Sequence, residues 1–520
     1  MEKKKCNILY QELFEAKDMV MFECLNRSGK EIIKNSDYVK MIENVSSNMS
    51  KILKSISDKP NFVGVRMSST PNFYAIVFGI LRIGMNVLLM DPKTDERQYK
   101  SLLEEADSNI LITNMMNVEV NSKIYVINSD DLLTACEEPY MLDWAEYIAF
   151  STSGTTGKSR VILYHTSDFF KQAIYTIRYY READFVKKLL QGEEINGKKF
   201  ITILPMHHIL GFISPLILIG YGATFTFPQN GAISTVIKAI LENHVWGCIG
   251  IPMFWQTLYN IIARKSGNFS RESIDTYLGK DFIFGLTGGT NMEPQLRDAY
   301  KKAGIYLTCG FGMTEVGCAT LMVPDECDEN SEGKLYSWYD AKIKEENGNI
   351  VSEGVGELLL KTPVMFTGYL SKGKILEREQ CEGGYFPTGD IFRKKGDVIY
   401  FVGRLKNVIV NSSGENIYTE ELEKHFESLK ESKLTYGIIS LGEEPCLLVE
   451  VDSHEATDAI KERIIKEAGM LSIYQRPSKI IFTKCKLPLT SKFELKKYAL
   501  TDEILNHEEN VEVILKNGGR

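Results

Sequence analysis

The sequence predicts an α/β protein whose large amino-terminal part is built from parallel-rich sheets flanked by helices. Apolar, β-branched runs alternate along the chain with helical patterns such as Ser36 to Leu53 and Asp95 to Ala106. That alternation is how crossover helices join parallel strands. Residues Val63 to Pro92 read as strand, helix, strand. The length of 520 residues exceeds what one hydrophobic core usually spans, so two or more domains are expected.

In chain order, the most informative segment runs from Tyr147 to Tyr164. Two apolar runs, starting at Tyr147 and at Arg160, flank a loop of Ser151, Thr152, Ser153, Gly154, Thr155, Thr156, Gly157 and Lys158. Glycines let a backbone approach an anion, free N–H groups line the concavity, hydroxyls donate, and the lysine adds charge. The loop is therefore read as phosphate-binding, with a nucleotide as the expected partner. A Walker A loop would need glycine where Thr152 stands and a helix straight after the lysine. The β-branched and aromatic run Arg160 to Tyr164 reads instead as a second strand, which makes the loop a hairpin tip and disfavours a P-loop kinase or ATPase.

Polar stretches Gln191–Lys199 and Asp325–Gly333 are read as loops. The most apolar stretch, Phe212 to Phe227, is broken by Ser214, Pro215, Gly220 and Gly222, and falls short of the roughly 20 residues of a membrane span. The amino terminus is charged and lacks the apolar core of a signal peptide. Ten cysteines lie scattered, without a Cys-x-x-Cys pair or metal-ligand spacing, and read as free thiols in a reducing compartment. A cytoplasmic protein is expected. The net charge of −8 and the lack of any basic block beyond Lys3-Lys4-Lys5 argue against nucleic-acid binding.

The loop resembles the phosphate loop of the adenylate-forming (AMP-binding) superfamily, which comprises acyl- and aryl-CoA synthetases, firefly luciferases and peptide-synthetase adenylation domains. Further segments match that family's motifs in the same order. Leu204-Pro-Met-His-His-Ile-Leu-Gly-Phe212 resembles the segment with the substrate-gating histidine, Leu286-Thr-Gly-Gly-Thr290 the pocket-wall glycines, and Gly310-Phe-Gly-Met-Thr-Glu315 the Tyr-Gly-x-Thr-Glu motif. Tyr385-Phe-Pro-Thr-Gly-Asp390 and Gly403-Arg-Leu-Lys406 resemble the ribose-binding aspartate and the hinge, with Ser413 to Ile417 and Glu420 to Glu423 following it.

The resemblance implies a large nucleotide- and acyl-binding domain over 1–404 and a small mobile α+β lid over 405–520, swinging about Lys406. It implies that Glu315 holds Mg²⁺, a hard cation suited to carboxylate and phosphate oxygens, and that Thr314 donates to the α-phosphate of ATP. Gly288 and Gly289 would line the wall of the nucleotide site, and the ring of Phe311, which replaces the usual tyrosine, would stack on the adenine. Asp390 would accept from the ribose hydroxyls, with Arg404 as a second ribose or phosphate contact. His208, chosen over His207 by its distance from Pro205 and Gly211, would gate an acyl pocket that Gly289 also lines. The chemistry implied is activation of a carboxylate as an acyl-adenylate, then transfer to a thiol.

One departure matters. The family ends in Leu-Pro-x-Thr-x-x-Gly-Lys, whose lysine bridges the carboxylate and the α-phosphate. Here Leu487-Pro-Leu-Thr-Ser-Lys-Phe-Glu494 puts Phe493 at the glycine and Glu494 at the lysine. In an extended segment, residues two positions either side share a face about 6–7 Å away, so Lys492 or Lys496 could take the role. The alternatives are slow adenylation, a lysine from another chain or the partner protein, or a fold retained for nucleotide or acyl-adenylate binding without ligase activity.

In relatives that activate amino acids, an aspartate follows the histidine segment. Phe212 to Ile219 contains no acid, which disfavours an α-amino acid and favours a fatty, branched or aromatic carboxylate. The acceptor is expected to be coenzyme A or the phosphopantetheine of a separate carrier protein, since no fused carrier segment is recognised.

Overall fold

The structure, a computed structural model, describes residues 2–15, 18–27, 29–116, 118, 124–152, 160–288, 292–328, 330–410, 416–431, 434–441, 444–451, 457–471, 475–489, 495–497, 500 and 511–513. The chain divides into two compact units. The first comprises Met1–Gly154, Lys158–Asp340 and Lys361–Gln380, and the second is mainly Ala341–Leu360 and Cys381–Arg520.

In the first unit, strands Phe62–Arg66, Asn86–Met90, Ile110–Thr113 and Tyr125–Asn128 pair in parallel, and Asn86–Met90 pairs in parallel with Tyr147–Thr152. Sheets of this kind are covered on both faces, and their strands are continuous runs of Val, Ile and Leu. Val63, Val65, Leu88 and Leu89 are accordingly fully buried. Beyond Tyr147–Thr152 the sheet turns antiparallel through Arg160–His165, Gly368–Ser371 and Lys374–Glu377. Thr152 lies opposite Arg160, so the phosphate-loop motif does join two antiparallel strands.

A second sheet runs Tyr306–Thr308, Phe284–Thr287, Val245–Gly250, Lys199–Thr202, Thr224–Phe227 and Val20–Asn26 in parallel, closed by antiparallel Gly29–Lys34. The helices around the two sheets follow apolar periodicity. Helix Asn35–Ser55 buries Tyr38, Ile42, Val45, Met49 and Leu53 on one face. Helix Glu96–Glu105 begins at a capping box in which Asp95 and Gln98 satisfy each other's backbone N–H groups. Helix Ile209–Tyr221 is buried almost throughout and ends at Gly222, in the left-handed region. Among the described residues, no helix is long and apolar enough to cross a membrane.

The second unit pairs Gly354–Lys361, Phe386–Lys395 and Val398–Arg404 in antiparallel order. It also holds a four-stranded sheet of Tyr436–Leu441, Glu444–Glu450, Lys479–Thr483 and Val511–Val513. Helices Thr419–His425 and Thr457–Ala468 close a separate core on that sheet around Phe426, Ile438, Leu447, Ile464 and Ile480.

Candidate active site

Thr314 and Glu315 sit at the tip of a two-stranded hairpin in which Gly312 pairs with Cys318 and Met313 with Gly317. Gly317 has φ +76°, and a Cβ there would fall 1.6 Å from Gln172 Nε2, so the turn admits only glycine. Three consecutive carbonyls of the turn are held from outside. Tyr164 Oη donates to Thr314 O at 2.6 Å, Phe366 N to Glu315 O at 3.1 Å, and Tyr339 Oη to Val316 O at 2.6 Å. With its backbone pinned in this way, the hairpin presents the Glu315 side chain from a fixed platform.

The Glu315 carboxyl is half-buried. Its pKa lies above the ordinary carboxylate value because of desolvation, opposed by a hydrogen bond to its own backbone, by Tyr369 and by the Arg160 guanidinium. Tyr369 Oη stands 3.4 Å from Glu315 Oε1, and the Arg160 guanidinium lies 5.4 Å from the centre of the Tyr369 ring. A desolvated carboxylate with one long hydroxyl contact gains from a nearby cation. Beside it, Phe311 is half-buried, and its N–H donates to Thr320 Oγ1 at 2.8 Å.

The pocket-wall and histidine segments converge in the same unit. Gly288 follows strand Phe284–Thr287, and a Cβ on it would stand 3.1 Å from Leu210 Cδ2 and 3.7 Å from the Gly310 carbonyl oxygen. Gly211 packs against the Pro205 carbonyl, 2.1 Å from where its Cβ would be, which fixes the entry to helix Ile209–Tyr221. His208 is exposed just before that helix, whereas His207 is 3% exposed, with its Nε2 3.6 Å from Asp91 Oδ1. Burial, and then the neighbouring His208, lower the His207 pKa to about 4, against the pull of Asp91.

In the second unit, Asp390 and Arg404 face each other on adjacent antiparallel strands, with Arg404 Nε 3.7 Å from Asp390 Oδ1. The Thr388 hydroxyl donates to Leu358 O and accepts from Asp390 N, while Gly389 N donates to Glu357 Oε1. These bonds hold the Thr388-Gly-Asp390 corner in place.

Near the carboxyl end, Lys496 is half-buried and its N–H donates to Pro488 O at 2.7 Å. Lys497 is engaged elsewhere. Its Nζ donates to Thr419 Oγ1 at 2.8 Å and lies 3.3 Å from Glu423 Oε1.

The sequence profile described as "AMP-binding enzyme" matches residues 43–370, well over half of the chain. The chain belongs to the AMP-binding enzyme family. Curated relatives of this AMP-binding enzyme include the long-chain-fatty-acid–CoA ligase FadD13 of Mycobacterium tuberculosis, 24% identical over 82% of this chain and 85% of that protein. The 2-succinylbenzoate–CoA ligase of Bacillus subtilis is 24% identical over 81% of this chain and 83% of its own. Among solved structures, O-succinylbenzoate coenzyme A synthetase (MenE) from Bacillus subtilis in complex with ATP and magnesium ion superposes with a TM-score of 0.75, at 19% identity over 95% of this chain and 99% of that one. ATP-bound MatB from Rhodopseudomonas palustris gives 0.73 at 18% identity, over 94% of this chain and 97% of that one. The mixed α/β fold with parallel-rich sheets is the one these structures share with it.

Within this AMP-binding enzyme, Thr314, Glu315, Phe311, Gly288, His208, Ser151 and Thr152 lie in the first unit, and Asp390, Arg404 and Lys496 in the second. Lys406 falls in the short 3₁₀ turn Leu405–Asn407. Ser153, Gly154, Thr155, Thr156, Gly157, Lys158, Gly289, Lys492, Phe493 and Glu494 lie outside the described residues. Sequence reasoning assigned no role to Tyr164, Arg160 and Asp91, although they lie in segments that carry a pattern, and missed Tyr339 and Tyr369, which no motif marks.

Proposed function

We propose that this AMP-binding enzyme is an ATP-dependent acid–thiol ligase that converts a carboxylic acid to an acyl-adenylate and passes the acyl group to coenzyme A. The observation that carries this reading is the clamped Thr314-Glu315 turn with its desolvated carboxylate. Support also comes from the CoA ligases that match across most of the chain, which favour coenzyme A over a carrier-protein thiol and disfavour a binding-only protein. Ten free thiols suit the reducing cytoplasm.

The residues present fit Mg²⁺. Glu315 offers a hard oxygen donor held on a rigid turn, and its raised pKa marks a site where added positive charge is favourable. Bound there, the ion would neutralise charge on the ATP phosphates. Thr314 would donate its hydroxyl to the α-phosphate, and Ser151, Thr152 and the loop through Lys158 would supply further donors. Phe311 would stack on adenine, with Gly288 and Gly289 lining the pocket wall, while Asp390 and Arg404 would orient the ribose. The carboxylate then attacks the α-phosphorus and pyrophosphate leaves, a step governed by placement and charge neutralisation. Lys492 or Lys496 would bridge carboxylate and phosphate, and rotation about Lys406 would carry the 405–520 lid to the thioester-forming pose. His208 would gate the acyl pocket, and the acid-free helix Ile209–Tyr221 fits an apolar or aromatic acid.

The deciding experiment is pyrophosphate release from Mg·ATP across aliphatic, aromatic and amino acids, with and without coenzyme A. Acid-dependent release stimulated by coenzyme A is expected. Silence across the panel with nucleotide binding intact would overturn the ligase reading.

A further inference from the structure

One cluster shares only His208 with that reading. Asp91 directly follows strand Asn86–Met90, and His207 and His208 immediately precede helix Ile209–Tyr221. One donor atom from each of the three lies within 4.8 Å of the others. His207 is nine-tenths buried or more, and among the described residues neither Nδ1 nor Nε2 makes a hydrogen bond, although Nε2 faces Asp91 Oδ1 at 3.6 Å. An imidazole buried in this way forgoes about 1–3 kcal/mol of hydrogen bonding. Asp91 is oriented independently, since its Oδ1 accepts from Lys93 N at 2.8 Å and its backbone oxygen from the Thr94 hydroxyl at 2.7 Å. Arg66 in turn holds Thr94, with Nη2 2.9 Å from its carbonyl oxygen.

We propose that Asp91, His207 and His208 form a binding site for a borderline transition-metal ion such as Zn²⁺ or Co²⁺, separate from the Mg²⁺ position at Glu315. Two imidazoles and one carboxylate are the donor set such ions prefer, and Mg²⁺ avoids it. Bonds of about 2.0–2.2 Å require donors somewhat closer together than they stand. His208, exposed at the start of its helix, supplies that closure by side-chain rotation. The ion would draw His208 onto Asp91 and hold it out of the acyl pocket, so it would inhibit turnover. That consequence rests on the proposed gating role of His208, but binding does not.

The test titrates Co²⁺ into the full chain without Mg·ATP and follows visible absorption together with equilibrium dialysis. One Co²⁺ per chain is expected, with a d–d spectrum of nitrogen and oxygen ligands and no thiolate charge-transfer band. Asp91→Asn keeps the acceptor for Lys93 N and should weaken binding by about 10- to 100-fold or more. His207→Gln should do the same. Absence of saturable binding, unchanged affinity in Asp91→Asn, or a thiolate band pointing to cysteines would each overturn the site. None of these readouts depends on turnover, so the ligase reading stands or falls separately.

Discussion

Tyr369 turns its hydroxyl to within 3.4 Å of Glu315 Oε1, bringing a residue of strand Gly368–Ser371 to the carboxylate at the tip of a different hairpin. Arg160 lies over the same tyrosine ring. If Glu315 is the magnesium ligand, Glu315→Gln should lower pyrophosphate release by roughly 10²- to 10³-fold with folding intact. Tyr369→Phe, which removes only a long hydrogen bond, should cost about two- to ten-fold. Near-normal turnover in Glu315→Gln would place the metal elsewhere.

Asp390 and Arg404 form a pair across two strands, with both polar ends in the second unit. Asp390→Asn should raise KM for ATP by about 10- to 100-fold, the range expected for losing a hydrogen bond to a charged group, with a smaller effect on kcat. An unchanged KM would remove Asp390 from the nucleotide site.

Three lysines, Lys492, Lys496 and Lys497, separate by role. Lys492→Ala or Lys496→Ala should slow adenylation while leaving the melting temperature in place, and neutrality of both would end the idea of rescue by a neighbour. Lys497→Met should instead destabilise the second unit by about 1–3 kcal/mol, because Thr419 and the desolvated carboxyl of Glu423 lose their cation. The double change Phe493→Gly with Glu494→Lys should speed adenylation in single-turnover assays.

Burial raises the Glu332 carboxyl above its ordinary pKa, opposed by Arg297, whose guanidinium also donates to Cys309 Sγ and Ser331 O. A carboxyl with a raised folded-state pKa gives its full stabilising contribution below the unfolded value, and loses it as pH rises through the folded one. Arg297→Met removes the opposing charge and extends that loss to higher pH. The variant should be less stable than wild type by about 3–5 kcal/mol near pH 8 and by clearly less near pH 5. Urea unfolding at both pH values checks this, and an equal deficit at both would show that Arg297 acts through packing and its bonds to Cys309 and Ser331 rather than through Glu332.

The parallel strands and the antiparallel pair Tyr147–Thr152 and Arg160–His165 were legible because their apolar runs, and the β-branched segment after Lys158, carry local signals. The Thr314-Glu315 turn was legible as a motif. Its supports were not: Tyr164 reaches Thr314 from 150 residues away, a tertiary contact that no local pattern encodes. The path of the chain was equally hidden, since it leaves the first unit after Asp340, returns at Lys361 and leaves again after Gln380 without a shift in composition. Asp91 gave no signal because its partners at 207 and 208 meet it only in the folded unit.

The pairing of Arg160–His165 with Gly368–Ser371, where His165 N reaches Thr367 Oγ1 across 202 residues, bears on how the protein is made. At ribosomal rates of about 5–20 residues per second, the earlier strand waits on the order of 10–40 s for its neighbour. During that interval its outer edge is an unpaired template for other chains. The nascent enzyme is therefore most exposed to aggregation, and most in need of a chaperone, after strand Arg160–His165 has been synthesised and before Tyr369 emerges.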